Sequence, residues 1–104
     1  MPESSPPERD AVLAVLRAHE AELRAAGVRT VSLFGSVARG EAAADSDIDL
    51  AVEFEPAARI DLFRLGALER RIADLLGRPV DLLPEPVEAP RLRRRLELDR
   101  RRAF

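Results

Sequence analysis

Residues 28–54, VRTVSLFGSVARGEAAADSDIDLAVEF, contain two stretches of alternating polar and apolar residues on either side of a segment of small residues. Such alternation is typical of strands with one buried face, so we predict strands over Val28 to Phe34 and Asp47 to Phe54. Residues 37–46 are predicted to form a short helical turn and a loop. We expect the two strands to run antiparallel, so that the end of the first and the start of the second share one edge.

Two helices are predicted from capping residues and apolar spacing. Ser5 is predicted to cap a first helix, with prolines in its first turn, that ends at Gly27. Asp61 is predicted to cap a second helix, whose leucines and isoleucine recur at helical spacing until Gly77 ends it. His19 lies within the first helix, where a lone histidine is most often a surface or boundary residue.

The rest of the chain predicts a third strand over Pro79 to Leu83 and an arginine-rich helix over residues 90–102. The path from residue 47 to residue 83 is strand–helix–strand, a crossover that normally joins parallel strands. We therefore predict an α/β fold in a single domain over residues 1–104. It would have a small mixed β-sheet of about three strands flanked by helices, with residues 1–5 flexible.

The composition excludes several classes of protein. The 104 residues carry a net charge of −2 and no cysteine, and none of their apolar runs is long enough to cross a bilayer. A secretory signal, disulfides, zinc–thiolate sites and membrane association are therefore not expected, and a cytoplasmic protein is. The charge also gives no reason to expect direct nucleic-acid binding. A domain this small is compatible with a homo- or hetero-oligomer, and whatever it acts on would have to lie on an exposed face or come from a partner.

Two aspartates close together are the most informative feature of the chain. Asp47 and Asp49 project to the same face of the second strand, while Ile48 points into the core. Like charges at such positions repel each other, and a divalent cation bound between them would remove this repulsion. The ordinary alternative is that both aspartates lie at a solvated strand end. In parallel strands, Asp81 would lie level with this pair and complete a plausible two-metal site, unless it only caps or hydrogen-bonds locally.

Gly35 and Ser36 end the first strand at the same predicted edge. A glycine there allows backbone to approach a ligand closely, and the following N–H groups and the serine hydroxyl can donate to phosphate oxygens. Arg39, one turn further on, could neutralise charge on a leaving pyrophosphate. A glycine–serine pair alone is most often only a turn. The order and context of all these residues are therefore the argument for a nucleotide site.

Residues 35–42 (GSVARGEA) and 45–50 (DSDIDL) resemble the signature of the DNA polymerase β-like nucleotidyltransferase superfamily, most closely its minimal nucleotidyltransferase (MNT) branch. Residues 77–82 (GRPVDL) resemble the strand that carries the family's third carboxylate. The resemblance implies that Asp47 and Asp49 bind two magnesium ions, and that Asp81 binds one of them and helps to activate the acceptor hydroxyl. It also implies that Gly35, Ser36, Arg39 and Ser46 contact the nucleotide.

The same resemblance implies ATP as nucleotide donor and a HEPN-domain ribonuclease toxin as partner. Some members of the branch act as antitoxins by transferring AMP to a tyrosine of that toxin. Two alternatives remain: an antitoxin that acts by contact alone, and a nucleotidyltransferase for a small molecule. The arginines of the last helix favour either a solvated helix face or a docking surface for an acidic partner.

Overall fold

The computed structural model describes residues 5–104, so the expectation of a flexible segment over residues 1–5 falls, apart from Ser5, outside the described residues. The chain forms one α/β domain with a four-stranded mixed sheet. A 3₁₀ turn, Pro56–Ala58, follows the second strand. In chain order, the helices and strands are α1 (Arg9–Ala18), α2 (Glu20–Ala25), β1 (Val28–Phe34), α3 (Gly35–Arg39), β2 (Ile48–Phe54), α4 (Leu62–Leu76), β3 (Val80–Pro84), α5 (Pro90–Asp99) and β4 (Arg101–Arg102).

The strand directions agree with the sequence prediction. The sheet order is β3-β2-β1-β4, with β1 antiparallel to β2 and β2 parallel to β3. The connection through α4 is therefore the expected crossover. Asp61 caps α4 by accepting a hydrogen bond from the Arg64 N–H at 2.8 Å, and Gly77 ends the helix in the left-handed conformation. Both end signals used to predict this helix are confirmed.

The two faces of the sheet are covered by different helices. On one face, side chains of α1, α2 and α4 pack in the main core with alternate residues of β1 and β2, among them the fully buried Leu33 and Ile48. On the other face, α5 contributes Leu96 to a second, smaller cluster with Phe34 and Ala51. Because side chains alternate along a strand, Asp49 shares the α5 face with Ala51.

The start of the chain differs from the prediction. The first helix begins at Arg9, with Glu8 rather than Ser5 at the N-cap and no side-chain cap bond. It is also not continuous, because His19 leaves helical geometry and separates α1 from α2. The ring Nδ1 of His19 lies 2.9 Å from the Val15 carbonyl oxygen, a local contact that fits the expected boundary role.

Two further boundaries were predicted wrongly. The short helix begins at Gly35, directly after β1, rather than at residue 37. The last helix ends at Asp99, and Arg101–Arg102 pair antiparallel with Ser32 and Leu33 as a fourth strand. The hydrogen bond from the Ala103 N–H to the Val31 carbonyl, 2.9 Å, extends this pairing. Within residues 5–104, no helix is long and apolar enough to cross a membrane.

Candidate active site

Gly35 and Asp49 are in close contact at one edge of the sheet. The register of β1 and β2 pairs Phe34 with Asp49, which brings the next residue, Gly35, against the aspartate side chain. Gly35 has a φ of +79°, and a Cβ built on it would overlap Asp49 Oδ2 and lie 3.2 Å from its Cγ. Only glycine satisfies both the backbone conformation and this approach.

Asp49 and Asp81 lie side by side on the parallel strands β2 and β3. Their Cα atoms are register partners, as the crossover predicted. Asp81 and Leu83 share one side of β3, and Leu83 packs in the small cluster under α5. Both carboxylates therefore belong to the face of the sheet that α5 partly covers.

The electrostatics of Asp49 are those of a carboxylate held among other carboxylates. Its pKa is raised, first by burial and then by the charges of Asp81 and Asp47, while Arg39 and Arg95 act in the opposite direction. Ionised Asp49 is therefore destabilised in the folded chain. A bound cation would stabilise this ionised carboxylate, which is the behaviour expected of a metal ligand.

An open cavity of about 520 Å³ lies over this edge. It brings together Gly35, Ser36, Arg39, Asp49 and Asp81, five of the seven residues that the sequence singled out. The remaining wall consists of Phe34, Leu82, Leu83, Leu92 and Arg95. A glycine–serine turn, two level carboxylates and an apolar wall therefore surround a space large enough for a small ligand.

Arg39 lines the cavity but is engaged elsewhere. Its Nη1 donates to Asp99 Oδ2 at 2.6 Å and its Nε to Glu41 Oε2 at 3.1 Å. The side chain of Asp99 is nearly buried, and this ion pair joins α3 to the end of α5. The geometry therefore gives Arg39 a role in holding the two helices together.

Asp47 and Ser46 lie in the loop before β2 and do not line the cavity. Asp47 is exposed, although its charge is close enough to raise the pKa of Asp49. The Ser46 hydroxyl accepts a hydrogen bond from the Ala43 N–H at 2.8 Å, so it stabilises the loop itself. The assignment of both residues to metal or nucleotide remains a prediction from the sequence.

The carboxylates of Asp47, Asp49 and Asp81 are suitable ligands for a hard divalent cation, although they are not yet arranged around one point. Within residues 5–104, no three histidine, cysteine, aspartate or glutamate side chains are grouped closely enough to hold a metal ion. Mutual repulsion keeps ionised carboxylates apart, and a cation would have to draw Asp47 towards the level pair. Magnesium is usually bound by the oxygens of one or two carboxylates together with oxygens of the substrate phosphates.

Five of the ten cavity residues were not identified from the sequence as part of the site, and two of these five lie on α5. Leu92 and Arg95 of α5 form part of the wall, because this helix packs on the carboxylate face of the sheet. The arginine-rich composition of the helix was noticed, but nothing in its pattern distinguishes Arg95 from its neighbours. The four-residue spacing of Leu92 and Leu96 was the available signal for which face is buried.

Comparison with known proteins agrees with this geometry. Residues 16–103 match the model of the nucleotidyltransferase domain family. The chain is 46% identical over 70 residues to the protein adenylyltransferase MntA of Thermococcus cleftensis, an alignment that covers 66% of this chain and 69% of the relative. The family match therefore begins near the end of α1, extends to residue 103 and includes every candidate site residue.

Solved structures share the fold. A candidate minimal nucleotidyltransferase is 36% identical, with a TM-score of 0.73 over 90% of this chain and 94% of its own. The MNT antitoxin complex with a tri-AMPylated HEPN toxin of Shewanella oneidensis aligns with a TM-score of 0.63 and 21% identity, over 88% of this chain and 71% of that one. This second likeness shows the fold alone. Since the family model, the adenylyltransferase relative and the structural match agree, the chain belongs to the nucleotidyltransferase domain family, as one of the minimal nucleotidyltransferases.

Proposed function

We propose that this nucleotidyltransferase is a protein adenylyltransferase that transfers AMP from ATP to a tyrosine of a HEPN-type toxin and so acts as its antitoxin. The observation that carries the proposal is the single cavity shared by the Gly35–Ser36 turn and the level carboxylates Asp49 and Asp81. The T. cleftensis relative is a protein adenylyltransferase, which favours a protein acceptor over a small molecule.

Each residue of the site has a defined part in this proposal. Magnesium, bound through Asp47, Asp49 and Asp81, would supply positive charge to the triphosphate and to the attacking oxygen. Gly35 and Ser36 would hold phosphate oxygens through backbone N–H groups and the serine hydroxyl. Asp81 would accept the proton of the tyrosine hydroxyl. The tyrosine oxygen would form a bond to the α-phosphorus as the bond to pyrophosphate breaks.

The acceptor is expected on another chain. The 104 residues contain no tyrosine, so any tyrosine label belongs to the partner. The cavity is open to solvent at the sheet edge, where a partner's loop could reach the carboxylates. In the Shewanella oneidensis complex, the HEPN toxin bound to the MNT antitoxin is AMPylated, so a HEPN protein is the acceptor to test first.

The test combines this chain, magnesium, ATP labelled at the α-phosphate and the HEPN-type protein encoded beside it, if there is one. We expect label on a tyrosine of the partner, located by mass spectrometry, and loss of the partner's ribonuclease activity. Asp49→Asn should abolish the transfer, and Asp45→Asn, an exposed loop carboxylate, is the matched control. Partner labelling that survives Asp49→Asn would rule out the proposed site.

A second function, neutralisation by contact alone, is favoured by one observation. At the start of α4, Leu62 is 84% exposed and Phe63 is 88% exposed, and neighbouring exposed apolar side chains of this size often mark a protein interface. In that case the partner would be inhibited equally by wild type and by Asp49→Asn, without label. Inhibition lost with Phe63→Ser but kept with Asp49→Asn would establish the contact mechanism.

A further inference from the structure

Arg95 is the cationic side chain that α5 presents to the active-site cavity. Leu96, fully buried, and Leu92, half-buried, pack against Phe34 and Ala51 and fix the rotation of the helix on the sheet. With those two side chains facing inward, Arg95 lies at the cavity wall beside Leu92. Its charge also acts on Asp49, whose pKa is raised mainly by burial but lowered in part by Arg95.

The two cavity arginines differ in what they already bind. Arg39 is engaged by Asp99 and Glu41. Arg95 is exposed and makes no ion pair or side-chain hydrogen bond to any other residue between positions 5 and 104. A guanidinium that is available for binding and lines the same cavity as Ser36 is the stronger candidate for an anionic ligand.

We propose that Arg95 binds the β- and γ-phosphates of the nucleotide and that Arg39, held by Asp99, is a positioning residue that fixes α5 relative to the Gly35–Ser36 turn. This assignment rests on the proposed function and refines it. It replaces Arg39, the residue that the sequence suggested for the phosphates, with a residue on another helix.

The chemistry of the cavity supports a phosphate ligand for Arg95. Asp49 and Asp81 repel a polyanion, so a triphosphate needs compensating positive charge beyond that of a metal ion. A guanidinium can donate two parallel hydrogen bonds to one phosphate group, and it stays charged at every physiological pH. The apolar wall formed by Leu82, Leu83 and Leu92 offers no such donor.

The neighbouring Arg94 provides a matched control. It is also exposed and lies on the same turn of α5, but it lines a different surface groove with Pro90, Arg91, Arg93 and Glu97. Replacing either arginine removes one positive charge from the helix. Only the replacement of Arg95 removes charge from the cavity.

The test measures binding of a non-hydrolysable ATP analogue and of AMP to the full chain, with magnesium, for wild type, Arg95→Gln and Arg94→Gln. For Arg95→Gln we expect affinity for the analogue to fall about tenfold, equivalent to about 1.4 kcal/mol. Affinity for AMP should change by less than about twofold, as should both affinities of Arg94→Gln, since an exposed charge outside the site contributes little. Arg95→Lys should recover part of the loss, and circular dichroism checks that each variant is folded.

The outcomes separate this assignment from the proposed function. Equal affinity of wild type and Arg95→Gln for the analogue would overturn the assignment alone. An equal loss of analogue and AMP binding would also overturn it, since the contact would then lie outside the β- and γ-phosphates. Failure of the wild-type chain to bind the analogue would overturn the proposed function together with the assignment.

Discussion

The side chain of Asp49 leaves no space for a side chain at position 35, where the chain has glycine. A Cβ at position 35 would overlap Asp49 Oδ2, and the φ of +79° independently favours glycine. The backbone at the end of β1 therefore leaves room for the carboxylate of Asp49, the second residue of β2. In the proposed mechanism, this contact keeps the phosphate-binding turn beside the metal ligand.

Gly35→Ala should destabilise the fold and lower the rate of nucleotide transfer about a hundredfold. The left-handed backbone alone costs about 1–2 kcal/mol for a residue with a Cβ, and the overlap must in addition displace Asp49. A misplacement of about 1 Å in a catalytic group can lower the rate about a hundredfold. Transfer rates and urea unfolding of the purified variant would measure the two effects.

Gly40→Ala is the control for that substitution. Gly40 has a similar φ, +74°, but a Cβ there meets no atom within 4 Å. We expect the same backbone cost with transfer retained. If both variants lose transfer equally, the contact with Asp49 has no special importance.

Asp49→Asn should raise the free energy of unfolding at pH 7. Burial and the charges of Asp81 and Asp47 raise the pKa of Asp49 in the folded state. The folded state therefore binds more protons than the unfolded chain between the ordinary aspartate pKa, about 3.9, and the raised value, and stability falls as pH rises through that window. Asparagine does not titrate, so the variant does not lose this stability as pH rises.

Thermal unfolding of wild type and Asp49→Asn from pH 3 to pH 8 would test whether the variant is the more stable of the two. The advantage of Asp49→Asn should be small at the acid end, where the wild-type carboxyl is protonated in both states, and largest near neutrality. Asp45→Asn, in the exposed loop, is the control for the loss of one negative charge. An Asp49→Asn variant that is less stable than wild type at pH 7 would contradict the raised pKa.

Magnesium and nucleotide should stabilise the wild-type fold through the carboxylates. With a non-hydrolysable ATP analogue at a hundred times its Kd, binding to the folded state alone adds about 2.7 kcal/mol. The corresponding rise in Tm should disappear with EDTA and should be lost in Asp49→Asn and Asp81→Asn. Persistence of the full shift in both variants would show that the ligand binds elsewhere.

Asp99→Asn should reproduce the effect of Arg39→Gln. If Arg39 acts by holding α3 against α5, removing either partner of the 2.6 Å ion pair should weaken nucleotide binding to a similar extent. Since Arg39 is partly exposed, the coupling between the two substitutions in a double-mutant cycle should be small and should fall with salt. A loss of binding in Arg39→Gln alone would instead make Arg39 a direct phosphate ligand.

The site could be predicted from the sequence wherever it depends on strand alternation and on strand order. Alternation along residues 47–54 predicted that Ile48 is buried and that Asp49 faces the other side, and the strand–helix–strand path predicted that Asp49 and Asp81 lie level. Both follow from local geometry, since side chains alternate at every residue of a strand and a crossover normally joins parallel neighbours.

The boundaries that were missed have no local signal. The break at His19 contains neither glycine nor proline, so helix propensity gave no reason to divide α1 from α2. The two residues of β4 are arginines at the end of a helical pattern, and they form a strand because β1 offers a free edge beside Ser32. Pairing with an edge so distant in sequence is decided by how the helices pack.

By itself, the sequence determined β1, β2 and β3, the crossover through α4, the glycine at position 35 and the carboxylates that we propose as the nucleotidyltransferase site. Only the tertiary structure decided which helix covers that site. The packing of Leu92 and Leu96 on the sheet brings Arg95 to the cavity, and the ion pair with Asp99 turns Arg39 towards α5. The physical reason is that strand and helix patterns are set by neighbouring residues, whereas the partner of a charged surface side chain is set by distant elements that share no sequence pattern with it.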